Sequence, residues 1–273
     1  PPRPPPLTGP TRCLGPRTSL VNVSCPCFCL GAYPGLIQFR CGLASASSLF
    51  LVAAVLSLIF AETRLVNSAH GSLYMLGTYV AYSLVEYFGR GPLGFWGGVV
   101  LAGLVVAAFG ALVEIFLLRR IYSAPELLQL LATFALVLIV KDFALWAWGP
   151  EDLLGPRAPG LDAAVSIAGR QFPEYDLFLI VLGPLVLGVL WAILTRTRWG
   201  TLVRAATEDR EMAGALGVNQ KWLFTSVFAL GSLLAGLGGA VQIPREPANL
   251  FMDLSLIAAA FVVVVVGGLG SVG

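Results

Sequence analysis

The sequence predicts an all-α protein, a polytopic membrane helix bundle with about six complete spans and a truncated seventh. Long apolar stretches recur along its 273 residues, of which 57% are hydrophobic and 12% charged, with a mean hydropathy of +0.84. A soluble domain has about 25% charged residues, so lipid is the predicted solvent for most of this chain. One polar, basic segment, Thr195–Lys221, interrupts the apolar stretches.

Residues 1–40 differ in composition from the rest and divide the chain at about residue 41. They are rich in Pro, Arg and Cys, and we expect them to be disordered or foreign to the natural protein. Three cysteines alternate with other residues over Cys25–Cys29, a spacing unlike that of a metal site, and no histidine lies nearby. The membrane domain is therefore assigned to residues 41–273, with no metal site.

A helix needs about 20 apolar residues to cross the hydrocarbon core. The candidate spans are Gly42–Phe60, Ala69–Phe88, Leu93–Leu118, Leu127–Trp148, Tyr175–Leu194, Trp222–Val241 and a shorter one near Leu254–Gly268. In the sixth stretch, small residues such as Gly231, Ala235 and Gly239 are spaced four apart. This spacing predicts close packing of that helix against another.

The basic residues indicate the orientation of the spans. Loops after the first, third and fifth spans carry eight basic residues: Arg64, Arg119, Arg120, Arg196, Arg198, Arg204, Arg210 and Lys221. The opposite loops carry four, Arg90, Arg157, Arg170 and Arg245, mixed with acidic residues. The positive-inside rule then places Thr195–Lys221 in the cytoplasm and Gly149–Glu174 outside, where Pro and Gly predict an irregular loop.

The cytoplasmic segment predicts a short amphipathic helix. Ala205, Ala206, Ala213 and Leu216 form a small apolar face, with the polar side formed by Glu208, Asp209, Arg210 and Glu211. Gly217 then supplies a helix stop. Such a helix is typical of a segment that binds in a groove of a partner protein.

Two groups of polar residues fall inside or beside predicted spans. His70, the only histidine, follows Asn67 and precedes Gly71 at the start of the second span. Polar groups at membrane depth either mark a pathway or make structural hydrogen bonds, and the sequence leaves both open. Lys141 and Asp142 are adjacent in the fourth span, so they point in different directions and are not expected to pair with each other.

Several enzyme and nucleotide-binding classes are disfavoured by the motifs. No Gly-rich loop of the ATPase type, G-x-x-x-x-G-K-[ST], occurs, so if the protein's activity consumes ATP, another subunit must bind it. Gly268–Gly273 matches G-x-G-x-x-G but follows a predicted membrane helix, which disfavours a dinucleotide site. No cluster of His, Asp or Glu suggests a catalytic site, and we expect neither a cofactor nor a nucleic-acid partner.

From Gly42 onward, the sequence resembles the membrane permease subunit of branched-chain amino acid ABC importers. Three stretches carry the resemblance, Leu65–Gly77, Arg204–Asn219 and Ala260–Ser271, in matching order and spacing. The resemblance implies an all-helical subunit of the bacterial inner membrane. It also implies a second permease subunit, two cytoplasmic ATPase subunits and a periplasmic substrate-binding protein as partners.

The resemblance also implies roles for particular residues. Ala205–Gly217 would be the helix that couples to an ATPase, and Asn67, His70 and Gly71 would lie near the translocation path. The family's chains begin near residues 35–40 of this sequence and continue past Gly273, so we expect a fragment with an unreliable start. Two alternatives stay open: a same-family importer of urea, amides or other amino acids, and a self-sufficient secondary transporter or channel.

Overall fold

The computed structural model describes residues 69–89, 91–121, 124–161, 164–167 and 170–267, together with Gly42 and Ala46. Several predictions lie outside these residues. They concern the segment 1–40 with its cysteines, almost all of the first predicted span, Asn67, and the glycines of Gly268–Gly273.

The described residues form a helical bundle, as predicted for an all-α polytopic protein. The helices are α1 (Ala69–Phe88), α2 (Pro92–Val113), α3 (Arg119–Ile121), α4 (Glu126–Trp148), α5 (Glu174–Arg196), α6 (Arg198–Glu208), α7 (Arg210–Ala215), α8 (Gln220–Gln242) and α9 (Met252–Gly267). A π-helical turn, Glu114–Leu118, joins α2 to α3. Prolines precede or begin three of the long helices, at Pro92, Pro125 and Pro173, where a missing N–H costs no intrahelical bond.

Among the residues that the structure describes, four helices are long and apolar enough to cross a membrane, and each coincides with a predicted span. They are Pro92–Ile121, Leu127–Trp148, Glu174–Arg196 and Gln220–Gln242. The second predicted span is α1, with the predicted bounds, and the last coincides with α9, which has 16 residues. Every residue from Ala69 to Tyr79 is buried, so protein rather than lipid surrounds the first half of α1.

The close packing predicted for the sixth span is confirmed at the centre of the bundle. There α8 packs against both α1 and α2. A Cβ on Gly236 would lie 2.8 Å from the Val106 Cβ of α2, and Gly239 contacts the backbone of Tyr74 in α1. Glycine at these positions therefore allows the helix axes to approach closely.

The loop predicted to lie outside is more ordered than the sequence indicates. Ala164–Ile167 (β1) and Arg170–Pro173 (β2) pair as an antiparallel hairpin, with Val165 opposite Phe172. The expectation of an irregular loop over Gly149–Glu174 is wrong for this part. β-Branched and aromatic residues at Val165, Ile167 and Phe172 favour extended strands despite the neighbouring Pro and Gly.

Candidate functional site

The predicted amphipathic helix Ala205–Gly217 is in fact two helices, α6 and α7, which we call the short-helix pair. Asp209 separates them with an extended backbone, φ −142° and ψ 104°. Its Oδ1 atom accepts a hydrogen bond from the Met212 N–H at 3.0 Å and so caps α7. An Asp side chain that bonds the backbone in this way favours a helix start over a helix interior, which explains the break.

The helix stop predicted at Gly217 is present. Gly217 has a φ of +84°, and its N–H donates to the Gly214 carbonyl at 3.1 Å. The Val218 N–H donates to the Ala213 carbonyl at 3.2 Å. These two bonds form a Schellman motif, in which a left-handed glycine satisfies the last carbonyls of the helix.

The small apolar face of the short-helix pair lies against the protein's own bundle. Ala206 and Ala213 are buried in a cluster with Leu223 and Val227 of α8. Ala205 is exposed instead. The predicted apolar face is therefore not a single surface that a partner could bind, because the break at Asp209 changes the direction of the second helix.

The outward side of the pair is partly apolar. Leu216 is 79% exposed, and the polar residues Glu208 and Asp209 are exposed beside it. Arg210 and Glu211 form the first turn of α7. A groove of about 360 Å³ runs along this side; its lining residues are Leu202, Leu216, Gly217, Val218, Asn219, Trp222 and Leu223.

A polar cluster around the buried Glu114, which the sequence analysis missed, connects the π-helical turn to the first turns of α8. Thr225 donates a hydrogen bond to Oε2 of Glu114, which is fully buried. The Arg119 guanidinium donates to the Lys221 carbonyl at 3.1 Å and to the Thr225 hydroxyl at 3.3 Å. The cluster ties the end of α2 to α8 directly after the short-helix pair. π-Helical turns are frequent at functional sites.

His70 and Gly71 lie at the buried start of α1, next to α9. A Cβ on Gly71 would lie 2.5 Å from the Asp253 carbonyl oxygen and 2.9 Å from Ile257 Cγ1. His70 is fully buried, and within the described part of the chain neither ring nitrogen has a hydrogen-bond partner. A buried polar group without a partner is unusual and costly.

Lys141 pairs with a residue that the sequence analysis did not consider. Its Nζ lies 3.9 Å from Oδ1 of Asp253 and 4.7 Å from the centre of the Phe251 ring. Asp142, the adjacent residue in sequence, is exposed on another side of α4. The pair joins α4 to the first turn of α9. Asp253 thus contacts Lys141 through its side chain and Gly71 through its backbone. Among the described residues, no group of three His, Cys, Asp or Glu side chains could hold a metal ion.

Comparison with known proteins decides the family. Residues 40–272 match the family described as the permease component of the branched-chain amino acid transport system. The chain belongs to this family. The resemblance found in the sequence is thereby confirmed.

The similar proteins are permeases from several organisms. BraD of Pseudomonas aeruginosa, a high-affinity branched-chain amino acid transport system permease protein, is 25% identical over 250 residues, covering 88% of this chain and 81% of BraD. LivH of Escherichia coli K12 is 22% identical, covering 87% of this chain and 80% of LivH. A probable LivH of Methanocaldococcus jannaschii is 27% identical, covering 81% of this chain and 70% of that protein. No solved structure matches the chain.

The family and the fold together define the class of protein. This permease component is a multi-pass membrane protein with several long apolar helices, and its family performs transport rather than catalysis. The short-helix pair and the two buried polar groups are features of this chain's own structure.

Proposed function

We propose that the chain is the permease subunit of an ATP-driven importer of branched-chain amino acids in a bacterial inner membrane. It would work with a second permease subunit, two cytoplasmic ATPase subunits and a periplasmic substrate-binding protein. The similarity to BraD and LivH, both permease proteins of high-affinity branched-chain amino acid transport systems, supports the cargo. The absence of a Gly-rich ATPase loop from the sequence supports a separate ATPase subunit.

The observation that carries the coupling proposal is that the short-helix pair is buried on one side and exposed on the other. Its inner side packs on α5 and α8 through Ala206 and Ala213, so the pair is held firmly to the bundle. Its outer side presents Leu216 and the groove beside Trp222. A segment fixed on one side and apolar on the other is suited to transmit the movement of a docked protein.

The mechanism follows from differential binding. Closure of the ATPase subunits on ATP would move the short-helix pair, and this movement would favour one arrangement of the bundle over another. Movement would reach the core through α8, whose Thr225 bonds Glu114 of the π-helical turn. The contact of Gly71 with α9 holds α1 and α9 together, so we propose that their separation opens the path past His70.

The experiment is reconstitution of the chain with its three kinds of partner in liposomes, with leucine uptake and ATP hydrolysis measured together. Leu216→Asp places a charge on the proposed docking surface and should reduce leucine uptake per ATP hydrolysed by at least tenfold. Leu154→Asp is the matched control, since Leu154 is 75% exposed against 79% for Leu216 but precedes the β-hairpin on the opposite side. Equal coupling in the two variants would contradict the docking role. Uptake of amides in place of leucine would contradict the cargo.

A further inference from the structure

We infer that Lys141 and Asp253 recognise the two charges of a zwitterionic α-amino acid as it passes through the bundle. The substrate carboxylate would contact the Lys141 ammonium, and the substrate ammonium would contact the Asp253 carboxylate. This inference rests on the proposed transport of amino acids and adds the residues that select for them.

Lys141 and Asp253 lie well inside the helical bundle. Lys141 precedes Trp148, the last residue of α4, by seven residues, which corresponds to about 10 Å along the helix. Asp253 lies in the first turn of α9, and its side chain is 4% exposed. Ionised side chains at such depth are costly in a membrane protein and commonly mark the route of a substrate or ion.

The ion pair between Lys141 and Asp253 is loose. The Lys141–Asp253 distance of 3.9 Å exceeds the 2.7–3.2 Å of an N–H···O hydrogen bond. An ammonium group has three donors. In the described part of the chain, the charged or aromatic groups near the Lys141 ammonium are the Asp253 carboxylate and the Phe251 ring. The Lys141 side chain is 28% exposed. Its donors therefore remain available to a second carboxylate.

The Asp253 carboxylate is held in place before any ligand arrives. Its Oδ1 accepts a hydrogen bond from the Leu254 N–H at 2.7 Å. The first turn of α9 also favours a negative charge, because the N–H groups at a helix start point toward it. A fixed carboxylate is a suitable partner for the ammonium group of an amino acid, since little ordering is needed on binding.

The surroundings of the pair suit an apolar substrate side chain. Val140, Ala144 and Met252, the neighbours of Lys141 and Asp253 on their helices, belong to one apolar cluster. Gly71 closes this region against the Asp253 backbone. His70, directly before it in sequence, keeps two buried nitrogens without partners in the described part of the chain. Separation of α1 from α9 would thus open an apolar space with charges of both signs on one side.

A purely structural ion pair between α4 and α9 is the competing explanation, and ligand analogues separate the two. The assembled wild-type complex without binding protein is tested for saturable binding of radiolabelled leucine. The competitors are 4-methylpentanoate, which lacks the ammonium group, and 3-methylbutylamine, which lacks the carboxylate. Loss of one charged hydrogen bond should weaken each competitor roughly tenfold to a hundredfold relative to leucine.

The variants then assign each charge. Lys141→Met should remove the preference for leucine over 3-methylbutylamine while keeping the preference over 4-methylpentanoate, and Asp253→Asn should do the reverse. The double variant Lys141→Met/Asp253→Asn removes both charges, so neither is left buried without its partner. It should therefore fold and lose both preferences. Asp142→Asn removes the adjacent, exposed carboxylate and should change neither preference.

The outcomes are distinguishable. Equal shifts for leucine and both analogues in the variants would make the pair a structural tether and overturn the inference. Leucine transport by a wild-type complex that shows no saturable binding would overturn it too, and would leave the proposed function standing. A wild-type complex that transports no leucine would overturn both.

Discussion

Gly77 of α1 and Gly236 of α8 meet where the two helices cross: a Cβ on Gly77 would lie 2.6 Å from the Gly236 Cα. The atoms on the other side are backbone, so they cannot move aside as a flexible side chain would. We expect Gly77→Ala to reduce the free energy of unfolding by about 1–3 kcal/mol, the usual cost of overpacking. Thermal melting of the purified protein in mild detergent measures this change.

The matched control is Gly97→Ala in α2. Nothing lies within 4 Å of a Cβ at Gly97, and this glycine is exposed. Alanine is about 1 kcal/mol more favourable than glycine inside a helix, so Gly97→Ala should leave the melting temperature unchanged or raise it. Similar melting temperatures for the two variants would show that the α1–α8 crossing tolerates a wider spacing.

Features that depend on residues close together in the sequence could be predicted, and features that depend on residues far apart could not. The long helices follow from continuous apolar stretches, and the Gly236 contact follows from the spacing of small residues in α8. The stop at Gly217 is also local, because the left-handed conformation favours glycine. The capping of α7 by Asp209 had a local signal as well, since an Asp can begin a helix as readily as occupy its polar face.

The buried polar groups could not be predicted in this way. Lys141 is separated from Asp253 by more than a hundred residues, and Glu114 from Thr225 by 111. Each pair depends on which helices become neighbours, and one sequence does not show this. The sequence did mark Lys141 as unusual by its depth in a span, but it suggested no partner.

The Asp209 side chain should stabilise the start of α7. Asp209→Ala removes the side-chain cap at the Met212 N–H, which should cost about 0.5–2 kcal/mol of local stability. The expected result is severalfold faster hydrogen exchange at the amides of residues 210–215, measured by mass spectrometry. Glu208→Ala is the control, since Glu208 is exposed and ends α6 without capping α7. If exchange is unchanged in Asp209→Ala, packing of Ala213 alone holds the helix.

Gly217 should resist replacement because of its backbone conformation. At a φ of +84°, a residue with a Cβ is strained, and Gly217→Ala should cost about 1–2 kcal/mol. Gly217→Asn should cost less, because asparagine adopts this conformation more readily than alanine. Melting of both variants, together with leucine uptake per ATP hydrolysed, measures the effect. Gly217→Ala equal to Gly217→Asn in both measurements would mean that the turn can take another conformation.

The last prediction concerns the hydrogen bond between Thr225 and the buried Glu114. Thr225→Val removes the hydroxyl but keeps the shape, so Glu114 loses the partner of Oε2 while Oε1 already has none among the described residues. Leaving a buried acceptor unsatisfied costs about 1–3 kcal/mol, and this loss should lower the melting temperature. Thr225→Ser retains the hydroxyl and should melt close to the unmodified protein.

A double-mutant cycle then shows whether the bond itself is responsible. With Glu114→Leu as the second substitution, the further loss caused by Thr225→Val should be much smaller, because no acceptor remains to be left unsatisfied. Residues in one hydrogen-bonding network typically show coupling energies of about 0.5–3 kcal/mol. Strictly additive losses would mean that Glu114 and Thr225 stabilise the bundle independently. The π-helical turn would then have no energetic link to α8 through this pair, and movement of the short-helix pair would have to reach the core by packing alone.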